Sequence, residues 1–377
     1  MDFNITPDQL DLRTMVQEFV AKEITPFALE MDKEGKMYPG LLQKIDEVGL
    51  LNLVVPEEYD GPGLDTITIA LLYEELGKGC AGVATSIAAN ALAGYPVLLL
   101  GTEEQKEKFF SVINEGKLAA FALTEPGAGS DAGAVATTAV KDGDDYILNG
   151  TKCFITNAAL ADIFIIFANT RKSAGIRGLT AFIVKRGTPG FTVGKEEEKM
   201  GIRASNTCEL ILEDVRIPAA NRIGREGEGF KIAMKTLDAA RPLVGAVSVG
   251  IAQSAFDLCV KYAKERKQFG KPIGSFQLVQ AMIADMAMQI EASRLLVYKA
   301  CWLKDQGLPY TKESALAKCY ASDSAMKVTT DAVQVMGGYG YSKEYMAEKY
   351  MRDAKIMQIY EGTNQIQRLV IANNILY

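Results

Sequence analysis

The period of the hydrophobic pattern changes twice along this chain, and nothing else in the sequence constrains the fold as tightly. From residue 7 to about 116, apolar residues recur three and four apart. From about 117 to 226 they alternate, and from about 227 onward the three-and-four spacing returns. A helix buries a stripe and a strand buries alternate residues, so such a chain divides into helices, then a sheet, then helices again. The expectation is an α+β multidomain protein with an N-terminal all-α domain (1–116), a middle β-barrel or sandwich (117–226) and a C-terminal α-helical bundle (227–377). With 377 residues, 48% of them hydrophobic, sizeable cores are available for two or three domains.

The first helix is expected over 7–32, opening at Thr6-Pro7-Asp8-Gln9 with proline at its first position. Others follow at 38–49, 65–78, 81–99 and 102–115. Seven short strands are read at 119–123, 136–140, 146–148, 152–156, 163–168, 179–184 and 208–213. The long C-terminal helices are placed at 228–265, kinked by Pro242, then at 276–305, 312–336 and, capped by Ser342, 343–358. The stripe Met282, Met286, Ile290, Leu296 reads as core. Residues 81–100 carry no charge, which reads as a buried helix. Its small residues, Ala84, Ala88, Ala89, Ala91, Ala93 and Gly94, either pack tightly or leave space for a ligand.

Composition removes several classes of chemistry. There is no histidine, so imidazole-dependent nucleophilic catalysis, proton transfer and metal ligation are excluded. Any proton transfer falls to Asp, Glu, Lys, Tyr or Cys. The six cysteines have no CxxC pair, which suits free buried thiols in a reducing compartment. A net charge of −6 with no basic block argues against a nucleic-acid partner. The longest apolar run, 95–100, is too short to span a membrane. Residues 1–4 run straight into the first helix with no signal segment, so a cytoplasmic protein is expected.

The residues with the clearest chemistry lie in Ile359-Tyr360-Glu361-Gly362-Thr363-Asn364-Gln365-Ile366-Gln367-Arg368. Gly362 breaks the preceding helix, and Asn364 with Gln367 starts the last one as a capping box would. Glu361 therefore sits at the negative end of a helix, beside the apolar Ile359 and Tyr360. Both features raise its pKa and suit a general base. A solvated loop carboxylate is the other local reading. The whole stretch resembles the catalytic-base motif of the acyl-CoA dehydrogenases. That family removes the proton alpha to a thioester carbonyl with the Glu and passes a hydride from the beta carbon to FAD.

Five further stretches resemble that family in order. They are the loop 123–131 (Leu-Thr-Glu-Pro-Gly-Ala-Gly-Ser-Asp), 150–157 (Gly-Thr-Lys-Cys-Phe-Ile-Thr-Asn), 237–242 (Leu-Asp-Ala-Ala-Arg-Pro), 264–273 and 334–340. The connector 54–63 also resembles it, with Asp60 where the family has glycine. Read alone, a glycine-rich loop is usually a turn, Phe154 is a strand core residue, and the charged run 264–267 is a solvated helix end.

The resemblance implies more: a C-terminal four-helix bundle, and FAD contacts from Leu123, Thr124, Ser130, Phe154, Ile155, Thr156, Arg266, Phe269, Gln277, Gln334, Gly337, Gly338, Thr363 and Gln365. Of these, Arg266, Gln277 and the 334–340 loop are implied to reach the cofactor of a neighbouring subunit in a homotetramer built as a dimer of dimers. Substrate contacts are implied for Ser130, Asp238, Arg241, Tyr360 and Gly362, and an electron-transferring flavoprotein is the implied acceptor. Ala240 stands where a minority of the family carries the base, leaving Glu361 without a competitor. An acyl-CoA oxidase, or an inactive member acting as an interaction protein, are the alternatives. The helix at 81–100 has no cation, which disfavours glutaryl-type acyl groups. Short- and medium-chain groups, linear, branched or cyclic, remain open.

Overall fold

The computed structural model describes residues 4–377. The reading of residues 1–3 lies outside them. Six α-helices open the chain: α1 (Pro7–Phe19), α2 (Ala28–Glu34), α3 (Leu41–Glu47), α4 (Thr66–Gly79), α5 (Ala81–Leu100) and α6 (Glu103–Asn114). Thr6 caps α1 in a reciprocal box with Gln9, as its spacing indicates. The single helix expected over 7–32 is instead broken. Val20–Ile24 widens to a π turn and Thr25–Phe27 tightens to a 3-10 turn around Pro26, which has no N–H to continue the ladder. Asp60 adopts φ 60°, a left-handed conformation that short polar side chains tolerate, so its departure from the family's glycine is accommodated.

The middle of the chain forms eight strands, β1 (Leu118–Ala122), β2 (Thr138–Asp142), β3 (Asp145–Thr156), β4 (Ala161–Asn169), β5 (Leu179–Lys185), β6 (Phe191–Glu196), β7 (Thr207–Pro218) and β8 (Arg222–Ile223). Their order is β6-β7-β3-β2-β4-β5-β8, with β1 parallel to β4. On β4, Phe164, Ile166 and Ala168 face one core while Ile163, Ile165 and Phe167 face another. This strand is therefore covered on both sides, which explains its unbroken apolar run. Two expected strands, 146–148 and 152–156, are one bulged strand, because register slips at Gly150 and before Ile155 interrupt the alternation. The strand β6 escaped notice because Phe191 is its one buried residue.

The C-terminal part comprises α7 (Gly229–Glu265), a two-residue ladder of β9 (Lys267–Gln268) and β10 (Lys271–Pro272), then α8 (Gln277–Asp305), α9 (Thr311–Met336), α10 (Met346–Met357) and α11 (Asn364–Leu376). The helix α7 runs on through Pro242. It lies so close to α4 that a Cβ at Gly250 would sit 2.2 Å from the Glu74 carbonyl oxygen. Ser342 does not cap α10. That helix starts at Met346 without a side-chain cap, because 3-10 and turn backbone follows Gly337. By length and composition α5 and α7 could each cross a membrane, but 72% and 67% of their most apolar windows are buried against the rest of the protein. The six cysteines are free and buried.

Candidate active site

Glu361 follows the turns that end α10, at φ 52°, and Gly362 follows it at φ 93°. Two consecutive left-handed residues reverse the chain within one step, so α11 starts immediately. Three buried side chains hold this reversal. The Glu361 carbonyl accepts from Arg241 Nε (3.2 Å) and Gln367 Nε2 (3.3 Å). The Gly362 carbonyl accepts from Lys318 Nζ (2.8 Å) and Gln367 Nε2 (3.0 Å). A side chain at Gly362 would put its Cβ 2.6 Å from that same Nε2. The Glu361 N–H has no acceptor among the described residues.

The helix start differs from expectation. Thr363, not Asn364, is the cap, accepting from the Ile366 N–H at 3.3 Å. Asn364 turns inward instead. Its side-chain amide donates to Ser322 Oγ (2.8 Å) and Asp323 Oδ1 (2.7 Å), and its Oδ1 accepts from Lys318 (2.9 Å). Two adjacent cap-forming residues were present, and tertiary contacts on α9 decided between them.

The Glu361 carboxylate reaches the wall of a cavity of about 340 Å³ between α5, α7 and the loop 123–133. Its Oε2 is shielded from water and has no hydrogen-bond partner. Burial pushes its pKa up to about 7, against the opposing pull of Arg241 and Lys318. Loss of water is thus the dominant cause, the second of the two features read from the sequence. A carboxylate with one oxygen shielded from water and unpartnered, on the wall of a cavity, is equipped to take a proton at neutral pH.

The same cavity gathers Leu123, Thr124, Ser130, Phe154, Ile155, Thr156, Arg241, Tyr360 and Gly362. The loop from Leu123 is fixed from behind by Lys152, which is fully buried. Its ammonium donates to the Leu123 carbonyl (3.1 Å) and Glu125 Oε1 (2.7 Å). Glu125 in turn accepts from the Ala136 and Thr137 N–H groups. Phe154 is 65% exposed, which overturns its reading as strand core. Its φ of 58° at the bulge swings the ring out of the alternation and into the cavity. Arg241 is deeply buried, donating to Asp238 Oδ1 (2.8 Å) as well as to the Glu361 carbonyl. Asp238 also accepts from Thr311 Oγ1 at 2.8 Å.

The remaining motif residues lie elsewhere. Arg266, Gly337 and Gly338 line a separate hollow of about 540 Å³, where the Arg266 guanidinium sits 5.5 Å from the Tyr339 ring centroid. Phe269, Gln277, Gln334 and Gln365 are exposed and line neither space. A larger hollow, about 750 Å³, is a charged groove between α2, Met200, Arg203 and α10 that does not include Glu361. None of the motif residues of the cavity lines it.

Sequence reading passed over Lys318 and Gln367 as site residues. A signal was available for Lys318, because Ala315, Ala321 and Ala325 put it on the buried stripe of α9, where a cation is out of place. Gln367 gave no comparable signal.

Against known families, the N-terminal domain of the acyl-CoA dehydrogenases matches residues 6–117, the middle domain 120–215 and the C-terminal domain 227–376. The short-chain specific acyl-CoA dehydrogenase of Clostridium acetobutylicum is 47% identical, with both chains covered completely. The solved butyryl-CoA dehydrogenase of Megasphaera elsdenii superposes with a TM-score of 0.98 at 50% identity, again with full coverage of both chains. A chain solved in work on the electron transferring flavoprotein of Acidaminococcus fermentans and flavin-based electron bifurcation gives a TM-score of 0.98 at 52% identity, each chain covered in full. The helix–sheet–helix architecture and the loop bearing Glu361 thus have full-length counterparts, and this chain belongs to the acyl-CoA dehydrogenase family.

Proposed function

We propose that the protein is an FAD-dependent acyl-CoA dehydrogenase acting on short-chain thioesters, with Glu361 as the base. The observation that carries this reading is the buried, unpartnered Glu361 Oε2 on the wall of a cavity. At a pKa near 7 about half of the carboxylates are ionised at neutral pH, and the group is basic enough to take a weakly acidic proton from the alpha carbon. The free Glu361 N–H is available to donate to the thioester oxygen as negative charge develops there. Arg241, on the same wall and held from behind by Asp238, is the proposed substrate-side cation.

The residues present fit FAD. Gly127 and Gly129 have open space where a Cβ would stand, so backbone can approach a ligand closely. Thr124, Ser130 and Thr156 supply hydroxyls, and Phe154 offers an exposed aromatic face. FAD, when bound, supplies the acceptor for the hydride from the beta carbon. Arg266, Gly337 and Gly338, in their separate hollow, are assigned to the cofactor of a neighbouring subunit in a homotetramer. An electron-transferring flavoprotein is the proposed acceptor, by analogy with the Acidaminococcus chain. Short-chain preference rests on the Clostridium and Megasphaera relatives.

The test is an anaerobic titration of the FAD-loaded protein with butyryl-, isobutyryl- and octanoyl-CoA, following flavin absorbance. Bleaching by butyryl-CoA at the lowest concentration is expected. Bound FAD that no thioester bleaches would refute the reading, and reoxidation by crotonyl-CoA alone would point to the reductive direction.

A further inference from the structure

Lys318 lies on α9, one of the bundle helices, outside every motif that marks the site. It is fully buried. Its ammonium makes two hydrogen bonds, to the Gly362 carbonyl (2.8 Å) and Asn364 Oδ1 (2.9 Å), and neither acceptor carries a formal charge. A buried cation without a carboxylate in contact is unfavourable, and a bundle core would be served as well by methionine or leucine. Burial accordingly lowers its pKa to about 8, while Glu361 pulls it back up more than any other charge nearby. The two anchors flank Thr363, one residue beyond the left-handed pair Glu361–Gly362.

We propose that Lys318 is a positioning residue for the base: it fixes the reversed backbone that carries Glu361 through the Gly362 carbonyl and Asn364, and its charge favours the ionised carboxylate. This rests on the reading of Glu361 as base. The other charged or titratable groups that face this junction are Arg241 and Asp238 from α7, Tyr73 from α4, Tyr95 from α5, Cys319 and Asp323 from α9, Arg368 from α11, and Tyr360 next in the chain. Of the cations among them only Arg241 donates to the Glu361 carbonyl, so Lys318 supplies the second cation near the carboxylate.

Two substitutions separate charge from anchoring in the FAD-loaded enzyme. Lys318→Gln removes the charge and keeps a donor, whereas Lys318→Met removes both. With butyryl-CoA, the acid limb of kcat/KM should move to higher pH by about one unit in Lys318→Gln, because a lost cation disfavours the carboxylate. In Lys318→Met the same limb should move, with kcat down at least about tenfold at every pH and KM changed less than about twofold. Lys318→Arg should restore the limb. An unmoved limb in Lys318→Gln overturns the proposal, and that arm suffices if Lys318→Met does not fold. Glu361→Gln in the same assay separates the two readings. Turnover by Glu361→Gln refutes the base itself, whereas its inactivity alongside an unmoved Lys318→Gln limb refutes only the role of Lys318.

Discussion

The raised pKa of Glu361 makes a quantitative claim about pH. With an ordinary value of 4.5 the carboxylate would be almost fully ionised throughout the neutral range, and the rate of alpha-proton removal would be flat there. At about 7, only about a tenth of molecules carry the base at pH 6 and about a hundredth at pH 5. The rate constant for flavin reduction at limiting butyryl-CoA should therefore fall tenfold per unit below pH 7 and level off above it. Stopped-flow reduction between pH 5.5 and 8.5, with FAD content checked at each pH, measures this. A profile without a break between pH 5.5 and 7.5 would refute the argument from burial.

The same displacement is a statement about stability. Because the folded-state pKa of this acid is raised, ionisation costs the native state. The penalty is absent below about 4.5, grows between 4.5 and 7, and is complete above 7. At ~1.36 kcal/mol per tenfold change in proton affinity, it is on the order of 1–3 kcal/mol once water in the cavity is allowed for. Glu361→Gln should therefore lose at least about a hundredfold in turnover yet unfold at higher temperature than the parent at pH 8. The two proteins should converge at pH 4.5, and a constant difference across that range would contradict the sign.

Two further outcomes follow from the site. Gly362→Ala should keep FAD and fold but lose about tenfold or more in kcat, because its Cβ would meet Gln367 Nε2 at 2.6 Å and φ is 93°; parental activity would show that the reversal need not be held. Lys152→Met should leave Glu125 buried and unpaired, cost about 3–5 kcal/mol in denaturant unfolding and release FAD on gel filtration, and unchanged retention of the cofactor would refute its hold on the loop.

Much of the fold was legible because helices such as α5 and strands such as β4 are long and consistent in period. The gathering of Thr124, Ser130, Thr156 and Glu361 around one cavity was legible only through motif resemblance, since periodicity says nothing about which loops meet. The misreadings share a physical origin. Phe154 left its core face because one positive φ breaks strand alternation, and alternation is the only local signal a strand carries. Thr363 and Asn364 are equally good caps in isolation, and the choice was made by Ser322 and Asp323, some forty residues upstream. Lys318 stood out as a misplaced cation, but its partner, a backbone carbonyl, leaves no trace in side-chain sequence.

The seam between α4 and α7 bears on how the chain acquires its structure. Gly77 and Gly250 allow backbones to touch where no methyl group would fit, and Arg294 on α8 grips Glu74 from the other side. The helices joined there are separated by about 150 residues, which hold α5, α6 and all eight strands of the middle sheet. Contacts so remote in sequence form late and slow the search for the native state. On a ribosome, α4 waits with its apolar face uncovered until α7 emerges, so the N-terminal helices expressed alone would present that face to one another and to chaperones.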